Sequence, residues 1–124
     1  MNIALWIGQI LLAIIFAGSG SFKISQSKER LIELGQTGVV FFPLPAIRLI
    51  AALELVGAIG IIVPWATGIA PILTPLAAVG FALLMVGAAI SHSLLREPRN
   101  VATNAAIFAL AVFVAYGRFA NLSG

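Results

Sequence analysis

Lys23, Glu54, His92 and Asn104 each sit near one end of an apolar run, and each could do chemistry there. An ionisable group within such a run is costly in lipid and normally faces protein, so Glu54 is the most informative of the four. Its helical neighbours three and four residues away are Ile50, Ala51, Gly57 and Ala58, three of them small. Small side chains make a packing face, which directs Glu54 into a bundle. Counted from Ile47, the carboxylate lies about 10 Å along its helix. A carboxylate and an imidazole in a dry pocket suffice for acid–base work, with Glu54 as base or acid and His92 as its partner. Lys23 or His92 can instead hydrogen-bond the carbonyl of a lipophilic ligand. Phe16, Phe81, Met85 and Phe108 fall on the matching faces and would floor such a pocket.

Each residue also has a structural reading. Glu54 with Lys23 can be a buried ion pair that only fixes helix packing. His92 can be an ordinary interfacial histidine, and Asn104 a cap or a cross-link between helices. The Phe and Met set can be plain packing. The argument for a site is that polar groups from four helices agree in depth.

The elements that must position them follow from composition. Of 124 residues, 61% are hydrophobic and only 9% charged. A soluble domain carries about 25% charged residues, and one this small could not bury so much apolar surface. Mean hydropathy is +1.13. The solvent is therefore lipid, and the expected class is an all-α integral membrane four-helix bundle forming one domain. With no cysteine and a single histidine, the chain holds no dithiol, thiolate metal site, iron–sulfur cluster, disulfide or bis-histidine haem. No metal site, intrinsic cofactor or nucleic-acid partner is expected.

The spans read as about residues 3–22, 46–64, 72–93 and 101–119. The first is long enough to cross the hydrocarbon core at about 30 Å. A cleaved signal peptide is the competing reading. No positive charge precedes the run, and it is longer than a usual signal core. Between the first two spans, Lys23–Gly38 is polar and charged, with Ser25 or Ser27 placed to cap a short helix. Leu31, Ile32 and Leu34 are its apolar positions, and it is expected to lie at the membrane surface. Val39–Leu44 is apolar but is followed by or contains Pro43 and Pro45, so it can dip into the interface without crossing. Arg48 is expected to reach the headgroups. Residues 64–68 read as a turn with Trp65 at interfacial depth. Small residues at Ala13 and Ala17, Gly57 and Gly60, Gly80 and Gly87, Ala105 and Ala109, and Ala111 and Ala115 are expected to bring helices together.

Charge gives the orientation. Lys23, Lys28, Arg30, Arg48, Arg96 and Arg99 lie on one side, and they are six of the seven Lys and Arg. Basic loops stay cytoplasmic, so both termini are expected outside the cytoplasm, in a bacterial cytoplasmic membrane.

Taken together, FAGSGSFKI at Phe16–Ile24, FFPLPAIRLIAALELVGAIGIIVP at Phe41–Pro64 and ALLMVGAAISH at Ala82–His92 resemble the DoxX-like family. The resemblance covers nearly the whole chain. It implies a four-helix membrane protein and points to Lys23, Glu54, Met85 and His92. It also implies an association with quinone and thiol redox systems, since some relatives are subunits of thiosulfate:quinone oxidoreductases and others accompany quinone detoxification.

Three functions are therefore expected to compete. The first is binding of a quinone-like lipophile in a redox-accessory role, with electrons supplied by a bound quinone or a redox partner. The second is a membrane isomerase, cyclase or hydrolase working through Glu54 and His92. The third is a structural or transport subunit, which would need a homo-oligomer.

Overall fold

The computed structural model describes residues 1–123, and all regular structure among the described residues is helical. Four stretches are long and apolar enough to cross a membrane: Asn2–Ser25, Leu44–Thr67, Leu73–Leu94 and Pro98–Leu122. The polarity is inside out. Only 22–33% of the most apolar window of each is buried, while Ile14, Leu53, Val56, Leu83 and Ile90 point outward. Such an exterior needs hydrocarbon as solvent, so the protein is an integral membrane protein.

Helix α1 (Asn2–Ser25) buries Leu5, Gly8, Gln9, Leu12, Phe16 and Gly20, the three- and four-residue spacing of one face. That face packs on α3 (Leu44–Gly60) and α6 (Pro98–Ser123), and α5 (Leu73–Leu94) packs mainly on α6. The seam between α3 and α5 is much lighter. Close approach is set by glycine where it matters most. A Cβ on Gly20 would sit 3.0 Å from the Ala51 carbonyl, and one on Gly57 would sit 2.6 Å from the Phe81 ring. Phe81 in turn stacks on Phe16, with centroids 3.9 Å apart and planes 3° from parallel. Ala111 and Ala115 are buried as expected of small residues. Gly80, Gly87, Ala105 and Ala109 are not; they face outward.

The second span is not one unbroken helix to Pro64. Helix α3 stops at Gly60, and a separate short helix, α4 (Val63–Thr67), follows with Pro64 in its first turn. The cause is Pro64, which has no N–H to give the Gly60 carbonyl four residues back. The Thr74 hydroxyl donates to that carbonyl instead at 3.1 Å, and Gln9 Nε2 donates to the Ile61 carbonyl at 2.7 Å. The chain turns at Gly68, in the left-handed region at φ 73°, rather than across residues 64–68.

Between α1 and α3 lie α2 (Lys28–Glu33) and a 3-10 turn at Thr37–Phe41. Ser27 caps α2, accepting from the Arg30 N–H at 3.1 Å. Gly35 (φ 98°) ends it, with its own N–H on Ile32 and the Gln36 N–H on Leu31. The apolar side of this segment turns toward protein: Leu31 and Val39 are buried against Ile47, while Leu34 is exposed. Arg48 does not reach outward for headgroups. Its guanidinium turns back to donate to the Lys23 and Gln26 carbonyls, satisfying the open C-terminal end of α1.

Candidate functional site

Lys23 ends α1 on its buried face, and Glu54 lies on the buried face of α3 facing it. Lys23 Nζ is 2.9 Å from Glu54 Oε1, and it also donates to Ser19 Oγ at 2.6 Å. The carboxylate side chain is 3% exposed and the lysine 16%. Glu54 Oε1 has the charge beside it but no aligned hydrogen bond.

His92 is positioned by the end of α5. The helix closes with the Arg96 N–H on the Ser93 carbonyl and the Glu97 N–H on the His92 carbonyl. Arg96, at φ 57°, takes the left-handed position that glycine usually fills in this closure. The closure folds Glu97 back over His92, and Glu97 Oε1 lies 2.7 Å from His92 Nδ1. The same oxygen accepts from the Thr37 hydroxyl at 2.7 Å and from Asn100 Nδ2 at 3.4 Å. These bonds, the one to His92 first and that to Thr37 next, hold the Glu97 carboxyl below its ordinary value. In the neutral ring, a carboxylate on Nδ1 holds the proton there and leaves Nε2 as an acceptor. Among the described residues, Nε2 has no hydrogen-bond partner.

These groups share one cavity of about 300 Å³ between α1, α3, α5 and the 3-10 turn. Lys23, Glu54, Ser91 and His92 supply polar atoms, and Met85 and Leu84 are among its apolar walls. The Thr37 bond to Glu97 ties the 3-10 turn over the cavity, where Gly38 and Val39 line it. A Cβ at Gly38 would stand 3.4 Å from His92 Nε2, so a larger residue there would crowd the imidazole.

Of the residues singled out in the sequence, Lys23, Glu54, Met85 and His92 stand around this space. The other four do not line it, and α6 contributes nothing to its wall. Asn104 is buried on α6 with its Nδ2 unpartnered. Phe108 faces outward, 38% exposed. Phe16 is core, and Phe81 lines a separate groove. The expected convergence of four helices is thus three helices and a loop. Sequence reasoning missed Glu97, Thr37 and Gly38. The available signal for Glu97 was an acid just past a helix-ending histidine.

A second polar cluster occupies the opposite end. Arg118, 1% exposed, donates from Nε to Gln9 Oε1 at 2.6 Å and from Nη1 to Asn2 Oδ1 at 2.9 Å. Its guanidinium carbon lies 4.5 Å from the centre of the Trp65 ring and 5.5 Å from that of Trp6. Cation–π contact supplies part of what a counterion would. Gln9 therefore belongs with Arg118 rather than with the polar groups at Lys23.

The lipid-facing exterior and the four spans define a small polytopic membrane protein with an interior cavity near one end. The model of the DoxX-like family matches residues 7–114, and the chain belongs to that family. No curated protein and no solved structure matches it.

Proposed function

We propose that the protein binds a lipophilic small molecule with a quinone-like polar head in the cavity between α1, α3, α5 and the 3-10 turn. The observation that carries the reading is the convergence of Lys23, Glu54 and His92, from three helices, on one mostly apolar cavity. Apolar pockets with a few converging polar groups are the usual form of small-molecule sites, and 300 Å³ falls at the lower end of their size. Lys23 has N–H groups to donate to a ligand carbonyl, and His92 Nε2 accepts from a ligand hydroxyl. Quinone and quinol heads offer one or the other. A redox-accessory role follows, in which this chain holds the head and a partner moves the electrons. The basic loops orient the cavity toward the cytoplasmic side of a bacterial membrane, with both termini opposite.

The test is mass spectrometry of small molecules extracted from protein purified in mild detergent. A stoichiometric lipophile in the parent, lost in His92→Ala and in Glu54→Gln, is the expected result. A parent protein that is folded and carries no lipophile, and takes up none when offered quinones, overturns the reading.

The His92–Glu97 pair favours a second reading, a membrane acid–base enzyme. A carboxylate-oriented imidazole is the usual form of a general base. In that case His92 takes the proton, Glu97 holds the ring, and Glu54 with Lys23 sets the charge of the wall. Turnover of a lipophilic substrate that survives His92→Ala counts against it.

A further inference from the structure

A second cavity, an apolar groove of about 580 Å³, runs along the lightly packed seam between α3 and α5. It shares Leu83 and Leu84 with the head cavity, so the two adjoin along α5, one toward His92 and the other toward Leu73. The groove portion, from Leu84 to Leu73, is about 16 Å long as helix. Its walls carry no charged group.

Two glycines on α5 widen these spaces. Gly87 lines the head cavity and Gly80 lines the groove, two turns apart on one face. A Cβ at either would meet nothing within 4 Å. Glycine weakens a helix interior, and here no neighbouring atom of the chain requires it. The room it leaves is available only to something outside the chain.

We propose that the α3–α5 groove holds the apolar tail of the ligand whose head occupies the cavity at Lys23 and His92. This rests on the head-binding reading above and adds the ligand class: an amphiphile with a long unbranched or isoprenoid chain, not a compact ring. The head enters between α3 and α5, and the tail lies in the seam, which opens to the bilayer at its far end, where Leu73 and Leu76 are exposed. The polar end coincides with the end where the basic loops stand, and the groove runs from there toward the opposite face of the membrane.

The experiment uses the full chain in lipid nanodiscs and two probes, a benzoquinone bearing a decyl chain and the same ring without it. The variants are Gly80→Leu, which fills the groove from α5, and Val56→Trp, which fills it from α3; helical circular dichroism selects those that fold. The expected result is a tenfold or greater weakening of the decyl probe in either variant, with the tail-less probe within twofold of the parent. A decyl probe carrying a terminal diazirine should label the stretch around Leu76 and Gly80 in the parent. If both probes bind the parent and both variants leave decyl binding unchanged, the tail site is wrong while the head site stands. If neither probe binds the parent, both readings fall. If the label instead joins two copies of the chain, and Gly80→Leu abolishes that dimer without moving decyl affinity, the groove is a protein interface and the proposal is overturned.

Discussion

Removing Lys23 while leaving Glu54 strands a carboxylate that is 3% exposed and has no aligned hydrogen bond on Oε1. Breaking a buried pair from one side costs about 3–5 kcal/mol. Lys23→Met should therefore lose roughly two to three and a half decades in the folding equilibrium. Glu54→Leu leaves the lysine, which is 16% exposed and keeps its bond to Ser19. It should cost less, about 2–3 kcal/mol. The double variant Lys23→Met with Glu54→Leu removes both charges, and stability should return to within about 1 kcal/mol of the parent. Binding of the proposed ligand should not return, because two of the cavity's polar groups are gone. The assay is reversible unfolding in mixed micelles by SDS titration, followed by helical circular dichroism and treated as a double-mutant cycle. A coupling above about 2 kcal/mol is expected. If the single variants each cost under about 1 kcal/mol and simply add, the pair does not hold the bundle and the burial argument is wrong.

Three other predictions concern different parts of the chain. Gly117→Ala puts a Cβ onto Leu5, which is fully buried and cannot swing away, so it should cost about 1–3 kcal/mol in the same titration. Gly18→Ala meets nothing within 4 Å and should be neutral or stabilise by about 0.5–1 kcal/mol; equal effects at both sites would contradict the packing between α1 and α6. The Glu97 carboxyl lies below its ordinary value of 4.5, so its contribution to stability is complete above that pH and is lost as pH falls through the lowered value. Thr37→Val should move this acid limb upward, toward 4.5, and Glu97→Gln should remove it; an unchanged limb in both, read by thermal unfolding from pH 7 to pH 3, disproves the assignment. Gln9→Leu leaves Arg118 Nε and the Ile61 carbonyl unpaired, costing about 2–4 kcal/mol with a shift in the emission of Trp6 and Trp65; unshifted fluorescence would mean the cation does not sit on the rings.

The fold was legible in the sequence because lipid is a demanding solvent. Four apolar runs of membrane length admit few arrangements, and the run ends fall within a few residues of the expected positions. The inward direction of Glu54 was legible too, since Ala51 and Ala58 flank it on the buried face. So was its pairing with Lys23, the one cation at the matching depth. What was not legible depended on helix ends and on contacts far apart in the chain. Arg48 is attached to the end of α1, 22 to 25 residues away, by carbonyls that no side-chain pattern records. Glu97 meets His92 through a helix-ending closure with an arginine in the usual glycine position, so its usual marker was missing. The 3-10 turn over the cavity has neither a helical nor an alternating period. Asn104 and Phe108 looked well placed by depth alone, but depth does not fix which way a face of α6 turns.

The bond between Gln9 and Arg118 spans 109 residues of sequence and joins the first helix to the last. During synthesis α1 enters the bilayer with an amide that finds the Ile61 carbonyl only when the second span arrives. Its oxygen then waits for α6, which brings a cation that would itself be expensive in hydrocarbon alone. Neither helix is comfortable in lipid without the other, so α1 and α6 depend on each other within the bundle. A chain halted before α6 would retain an unsatisfied amide and two tryptophans without their cation.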